Sequence, residues 1–218
     1  MSKIYEEDIK LLKRKLKKLP THWDGKKSIL ELKEADYNWR QMEWWGFYLE
    51  FKCFELLKNT RFLIPGDKYN NVTFDIKGNI NWDLKASAIK TDNHKIILND
   101  DKAMEKSIKN NKFHGEIIAL CDVEYNDINR TFQKWHTELK GGKSKYEKER
   151  EQRTSVSRYR KTKAILTELL FVVFSEKDLE NLDIMKQGRN SNSKPRPEKF
   201  MLDLEKIDDF YFDYLKFE

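Results

Sequence analysis

The chain has 218 residues and a formal net charge of +6, and 13% of its residues are aromatic. This length suits one domain, and the aromatic content excludes a disordered chain, because such chains lack the apolar surface that offsets lost entropy. No stretch approaches the roughly 20 apolar residues of a membrane helix, and no apolar leader follows the acidic N-terminus. Cys53 and Cys121 cannot build a disulfide scaffold. We therefore expect a cytoplasmic protein with two buried thiols.

Helical periodicity dominates the first quarter of the chain. Apolar residues at helical spacing predict a helix over 4–19, and Pro20 ends it. A mixed segment at 21–35 follows. A second apolar stripe predicts a long helix that Asp36 caps and that runs to about Lys58. Because this helix is apolar around much of its surface, we expect it to be central and covered on several sides.

The periodicity then becomes alternating, which is typical of strands. We predict a short strand at 60–65, a turn at 65–67, a strand over 72–76 and another strand over 80–87. The segment Lys77-Gly78-Asn79 provides a hairpin turn between the last two strands. These two strands are therefore expected to be neighbours in one sheet.

The second half of the chain alternates between apolar strands and amphipathic helices. The predicted elements are strands at 95–98, 115–123, 166–175 and 200–204, helices at 100–110, 126–140 and 177–185, and a loop at 187–199. The basic stretch 141–163 has weak periodicity and is either helix or ordered loop. Since neither a repeat nor a linker divides the sequence, we expect a single domain over 1–218.

Positive charge is concentrated in two windows. Between 134 and 163, eleven basic residues stand against four glutamates, and between 186 and 199, five stand against one. This asymmetry indicates a surface for a polyanion, although a solvated basic face gives the same pattern. The candidate DNA-binding residues have side chains suited to phosphate contacts or base reading. They are Lys143, Lys145, Arg153, Ser155, Arg158, Arg160, Lys161, Gln187, Arg189, Asn190, Asn192, Lys194 and Arg196.

The predicted hairpin around Gly78 carries the most informative polar residues. Asp83 and Lys85 share one face of their strand because side chains alternate with period two, and a short loop brings Asp75 of the preceding strand beside them. Two carboxylates so close repel each other, and a divalent cation removes that repulsion. Mg²⁺ favours one or two carboxylates together with water and phosphate oxygens. The three residues therefore predict a metal-assisted hydrolytic site in which Lys85 orients or activates water.

The segment FDIKGNINWDLKAS at 74–87 resembles the active-site hairpin of the PD-(D/E)xK nucleases, which have the restriction-endonuclease-like fold. In that pattern, an Asp near a strand start is followed on the next strand by Asp or Glu, any residue, and Lys. Asp75 matches the first acid, Asp83 the second and Lys85 the lysine, whereas Phe74 stands where the family often has Pro. The order of the predicted elements extends the resemblance to roughly 36–125.

The resemblance implies an α/β fold in which helices flank a central mixed β-sheet, here with a helical N-terminal segment. It also implies a glutamate near the metal on the helix before the hairpin. Glu50 is the candidate for this metal-binding and catalytic role, and Glu43 and Glu55 are alternatives. Family analogy places Glu116 at the rim of the site, whereas its position at a strand start favours an exposed acid.

Other residues that often carry chemistry give weaker signals. The histidines at 22, 94, 114 and 136 are scattered, so they predict no metal cluster. Trp44 and Trp45, near Trp39, are either a base-stacking platform or part of the core, and their helical spacing favours the core.

The resemblance and the charge pattern together favour a Type II restriction endonuclease that cuts double-stranded DNA with Mg²⁺, for which Mn²⁺ can substitute. One active site per chain requires a two-fold dimer to cut both strands of a palindrome, so we expect a homodimer. Two alternatives remain open. One is a non-catalytic nucleic-acid-binding protein, and the other is a repair or RNA-processing nuclease of the same fold.

Overall fold

The computed structural model describes residues 3–64, 74–89, 94–125, 129–143, 145, 147–148, 159–188 and 195–217. These residues form an α/β protein with a mixed central sheet, flanking helices and a helix near the N-terminus, which confirms the predicted fold class. Within the same ranges, no helix combines the length and the apolar character needed to cross a bilayer.

Side-chain caps mark the starts of two of the helices. The α-helices of the described ranges are Glu6–Leu16 (α1), Gly25–Glu34 (α2), Trp44–Leu57 (α3), Asp101–Asn111 (α4) and Thr131–Leu139 (α5), and short 3-10 helices span Glu176–Asn181 and Leu204–Asp209. Asp24 caps α2 by accepting a hydrogen bond from the Lys27 amide at 3.0 Å, and Asp100 caps α4 by accepting from the Ala103 amide at 2.9 Å. Each cap satisfies an amide that the helix itself leaves without a partner.

The strands form two sheets. They are His22–Asp24 (β1), Ile76–Lys77 (β2), Asn81–Ala88 (β3), Lys95–Asp100 (β4), His114–Glu124 (β5), Lys163–Phe174 (β6), Asp183–Met185 (β7), Lys199–Asp203 (β8) and Tyr211–Lys216 (β9). The central sheet has the order β1-β6-β5-β3-β2, with β9 also paired to β6, and the small sheet has the order β4-β8-β7. Strands β3 and β5 run parallel, whereas the other pairs are antiparallel.

Both faces of the central sheet are covered. Alternate residues of β5 contribute to two different cores, because Ile117 packs with Trp44 of α3 and Ile118 packs with Met104 of α4 and Leu98 of the small sheet. Helices α1 to α3 therefore cover one face, while α4 and the small sheet cover the other. Polar side chains of β3 and β5 on the second face are consequently enclosed between the two sheets.

A buried carboxylate fixes the β2–β3 hairpin. Asp8 of α1 is fully buried and accepts hydrogen bonds from the amides of Asn79 and Ile80 at 2.8 and 3.2 Å. It also accepts from the indole of Trp82 at 3.1 Å and pairs with Arg61 at 2.6 Å. Because charge-assisted hydrogen bonds are short and strong, α1 sets the position of the turn that precedes Asp83.

The parallel contact between β3 and β5 depends on a glycine. Gly115 lies opposite Trp82, and a Cβ atom at residue 115 would come within 2.2 Å of the indole. The fully buried Trp82 therefore packs directly against the backbone of β5. This close approach aligns Asp83 with Glu116 on the opposite face of the same strand pair.

Most predicted elements of the described ranges exist, but three predictions are wrong. The long helix begins at Trp44 rather than after Asp36, since Asp36 and Asn38 have positive φ angles that a helix excludes. The segment 21–35 forms β1 and α2.

Two further corrections concern the C-terminal part. The segment 177–185 divides into a 3-10 helix and β7, and β8 is followed by β9 instead of ending the fold. Of the predicted 60–65 strand, one isolated bridge between Leu63 and Lys77 is present, whereas the turn at 66–67 and residues 72–73 lie outside the described residues.

Candidate active site

The hairpin brings Asp75 beside Asp83. The Asp75 amide donates to the carbonyl of Trp82 at 3.0 Å, and the Asp75 carboxylate accepts from the amide of Leu84 at 2.8 Å. These two contacts lie on either side of Asp83 in the sequence. The antiparallel pairing of β2 with β3 and the turn at Gly78 are as predicted.

Lys85 and Glu50 lie near Asp75 and Asp83, and we call these four residues the cluster. The Lys85 ammonium lies 3.7 Å from Glu116 Oε2 and interacts electrostatically with Asp75, Asp83 and Glu50. Glu50 reaches the cluster from α3, where its carboxylate accepts a hydrogen bond from the Tyr37 hydroxyl at 3.0 Å. The four residues predicted as catalytic, Asp75, Asp83, Lys85 and Glu50, thus form one electrostatic unit.

The alternatives to Glu50 lie elsewhere on the surface of α3 and its start. Glu43 pairs with Lys161 at 3.0 Å and accepts from the Trp45 indole at 3.1 Å. Glu55 pairs with Lys52 at 2.9 Å. Glu50 is therefore the glutamate of this helix that faces the cluster.

The charged groups of the cluster shift one another's pKa values. Burial, together with the Asp83 carboxylate, raises the pKa of Asp75 to about 8, and burial also raises the pKa of Glu50. Although burial opposes ionisation of Asp83, Lys85 and His114 hold its pKa below the usual range. Burial likewise opposes the charge of Lys85, but the carboxylates of Glu116 and Asp83 raise its pKa above the usual value. Lys85 is thus a cation at neutral pH, and it donates hydrogen bonds instead of accepting a proton.

Strand β5 adds two residues that the sequence analysis did not assign to the site. His114 Nε2 lies 3.3 Å from Asp83 Oδ2 and 3.5 Å from Glu116 Oε1, and both His114 and Glu116 are fully buried. The expectation that Glu116 is an exposed strand-end acid is therefore wrong, and His114 lies beside two acids although the scattered histidines gave no sign of such a group. Burial lowers the pKa of His114, but the neighbouring carboxylates of Asp83 and Glu116 outweigh it and raise the value to about 9.

Residues of α4 and the small sheet surround this group. Asn99 donates from Nδ2 to Asp83 Oδ2 at 2.6 Å and from its amide to Glu116 Oε1 at 3.3 Å. The Ser107 hydroxyl lies 3.0 Å from His114 Nδ1 and receives a hydrogen bond from Asn81 at 3.1 Å. These contacts fix the orientation of each acid and of the imidazole ring.

A second lysine approaches the cluster from the small sheet. Lys199 begins β8 and pairs with Asp100, next to Asn99. Burial and the nearby Lys85 ammonium lower the pKa of Lys199. The basic window 186–199 therefore ends beside the cluster.

The candidate DNA-binding residues are placed unevenly. Lys143, Lys145 and Arg196 are exposed and Gln187 is half-buried, whereas Arg160 is only 9% exposed. Lys161 pairs with Glu43 and lies 4.5 Å from the ring centroid of Trp45. The remaining candidates lie outside the described residues: Arg153, Ser155, Arg158, Arg189, Asn190, Asn192 and Lys194.

The tryptophans near α3 belong to the core. Trp39, Trp44 and Trp45 are all buried, which agrees with their helical spacing and leaves no exposed stacking platform at these positions. Both cysteines are buried free thiols, as expected.

Comparisons of the chain with protein-family models, with curated proteins and with solved structures found no match.

Proposed function

We propose that this chain is a Mg²⁺-dependent endonuclease that hydrolyses phosphodiester bonds of double-stranded DNA at specific sequences, as a Type II restriction enzyme does. The observation that carries the proposal is the cluster of Asp75, Asp83, Lys85 and Glu50 on a hairpin and its neighbouring helix. Burying three carboxylates and one ammonium destabilises the fold, because buried charges lose their hydration. A contribution to stability therefore does not explain why these four side chains lie together.

The donor set suits a hard divalent cation. Asp75 and Asp83 provide adjacent carboxylate oxygens, and Glu50 provides a third, directly or through water. Burial and the Asp83 carboxylate raise the pKa of Asp75, as expected where a buried acid lies close to a second negative charge. When bound, Mg²⁺ supplies charge neutralisation for the phosphate and a water of lowered pKa.

The chain's own groups then have separate tasks. Lys85 holds the attacking water or a phosphate oxygen in place through a charged hydrogen bond, which a raised pKa favours. Asn99 donates a hydrogen bond to Asp83 Oδ2 and so fixes the orientation of that carboxylate.

The position of the basic windows supports a nucleic acid as the substrate. Lys199 lies beside Asp100 at the entrance to β8, and the exposed Arg196 precedes it. A phosphate bound at Lys199 would therefore lie near Lys85. We include a homodimer in the proposal, because two symmetric sites cut both strands of a palindrome. We also propose a cytoplasmic location, which two free thiols suit.

A plasmid assay tests the proposal. Supercoiled plasmid of known sequence is incubated with the purified chain in Mg²⁺ and in EDTA, and the product ends are sequenced. We expect discrete products in Mg²⁺ and none in EDTA, and we expect Lys85→Ala and Asp83→Asn to reduce the rate about 100-fold or more. Lys77→Ala is the matched control, since Lys77 is the exposed lysine of the same hairpin, and it should cut at the normal rate.

The other outcomes separate the alternatives. DNA binding without cleavage under every metal condition would show a non-catalytic binding protein. Cleavage confined to RNA or single strands, or a smear without defined ends, would show a nuclease of repair or RNA processing. Cleavage that survives both Lys85→Ala and Asp83→Asn would refute the assignment of the active site.

A further inference from the structure

A group of three buried side chains on β3 and β5 has the spacing of metal ligands. One donor atom from each of Asp83, His114 and Glu116 lies within 4.8 Å of the others. Nε2 of His114 lies 3.3 Å from Asp83 Oδ2 and 3.5 Å from Glu116 Oε1. Ligands bound tetrahedrally at about 2.1 Å are about 3.4 Å apart, so these two separations already match a coordinated ion.

Polar atoms in this group lack the partners that burial normally requires. Within the described part of the chain, Nε2 of His114 and Oε2 of Glu116 are buried and make no hydrogen bond. An unsatisfied buried polar atom destabilises the fold, and a bound cation supplies the missing partner. Lys85 lies 3.7 Å from Glu116 Oε2, which is too far for a hydrogen bond.

Neighbouring residues fix the orientation of the three side chains, as hydrogen-bonding partners do for the ligands of a bound metal. Ser107 lies 3.0 Å from His114 Nδ1, which leaves Nε2 directed at the acids. Asn99 contacts both Asp83 and Glu116. Such partners orient imidazole and carboxylate ligands in metal proteins and raise their affinity.

One imidazole and two carboxylates favour a transition-metal ion over Mg²⁺ as the bound metal. Mg²⁺ prefers oxygen ligands and keeps several waters, whereas an imidazole nitrogen favours later transition metals such as Co²⁺, Ni²⁺ and Zn²⁺. We infer that Asp83, His114 and Glu116 form a site for one transition-metal ion, with Asp83 as the residue shared with the proposed Mg²⁺ site. The ion takes the place of any proton on Nε2, and water completes its coordination.

Direct binding of Co²⁺ to the full, metal-free chain tests the inference without DNA. We expect one equivalent to bind, with visible absorption bands and a heat signal in calorimetry. His114→Gln and Glu116→Gln should each weaken Co²⁺ binding about 100-fold or more. The controls are His22→Gln, at an exposed histidine, and Asp75→Asn, which should both keep Co²⁺ affinity within threefold.

A third variant covers the case in which the first two fail to fold. Ser107→Ala retains all three ligands but removes the contact to Nδ1, and it should weaken Co²⁺ binding about 10–100-fold. The inference is overturned if no Co²⁺ binds, or if binding is unchanged in His114→Gln and Glu116→Gln. It is also overturned if binding is unchanged in Ser107→Ala when those two variants do not fold. Because binding is measured without cleavage, an inactive nuclease that still binds Co²⁺ would refute the proposed function and leave this site intact.

Discussion

Asn99 Nδ2 donates a hydrogen bond of 2.6 Å to Asp83 Oδ2, so the small sheet directly holds an acid of the central sheet. This contact makes the geometry of the cluster depend on the packing of two sheets. Asn99→Ala removes the donor without changing the backbone amide that contacts Glu116.

We expect Asn99→Ala to cut DNA about 10-fold more slowly and to require more Mg²⁺, because Asp83 loses a fixed orientation. The measurement is the plasmid cleavage rate as a function of Mg²⁺ concentration, with the melting temperature as a check on folding. Asn111→Ala is the control, since Asn111 donates to the backbone carbonyl of Ser107 and has no contact with an acid of the cluster among the described residues. Unchanged Mg²⁺ dependence in Asn99→Ala would contradict this role.

The buried Asp8 should be essential for stability. Asp8→Ala leaves two amides, the Trp82 indole and the Arg61 guanidinium without their acceptor. Each buried donor left without a partner costs about 1–3 kcal/mol, and we expect a loss of at least that size in the free energy of unfolding, measured by urea denaturation. Glu7→Ala changes an exposed acid of the same helix and should cost less than about 0.5 kcal/mol. Equal midpoints for the two variants would show that Asp8 does not hold the hairpin.

Two glycines should respond to alanine with opposite signs. Gly115→Ala places a methyl group against the Trp82 indole, and such overpacking typically costs about 1–3 kcal/mol. Gly46→Ala adds a methyl group inside α3 with no atom within 4 Å, and it should stabilise by up to about 1 kcal/mol through helix propensity. Thermal denaturation of both variants measures the difference, and stabilisation by Gly115→Ala would disprove the close packing of β3 on β5.

His136 should make stability depend on pH. Its Nε2 lies 2.9 Å from the carbonyl of Trp39, and burial lowers its pKa, with Lys140 and Arg160 opposing a further positive charge and Glu147 favouring it. The unfolded chain therefore binds the proton first as the pH falls. The stability from neutral His136 is fully present above about pH 6.5, the ordinary value, and is lost as the pH falls toward the lowered value.

Urea denaturation at pH 7.5 and at pH 5.5 measures this dependence. We expect the difference between the two pH values to shrink in His136→Gln, because glutamine does not titrate. His22→Gln, at an exposed position, should leave the difference unchanged. An equal pH difference in the original chain and in His136→Gln would remove His136 as its source.

Local patterns were sufficient to predict the hairpin and most strands. Alternation over 80–87 and a glycine at 78 identify β2 and β3 because both signals act between neighbours in the chain. The start of α3 was missed because a favourable cap residue, Asp36, precedes a segment whose backbone is not helical. Capping propensity is a local signal, whereas the fold decides whether the following residues enter a helix.

The two site residues that the sequence analysis did not assign depend on the pairing of strands that are distant in the sequence. His114 and Glu116 lie 31 and 33 residues after Asp83, and they meet it because β3 and β5 run parallel in one register. The alternation of His114 and Glu116 on a buried strand was a usable signal, since it places both on one face. Nothing local to the sequence indicates which strand lies next to β3.

Strand β2 has a consequence for how chains associate. It forms one edge of the central sheet, but it has only two residues, and Leu63 exchanges both backbone hydrogen bonds with Lys77 at 2.8 and 2.9 Å. Few unpaired amides and carbonyls of β2 are left for a strand of another molecule, and the exposed Lys77 adds a charge there. This edge is thereby protected against intermolecular sheet extension and aggregation, and a symmetric dimer must use another surface.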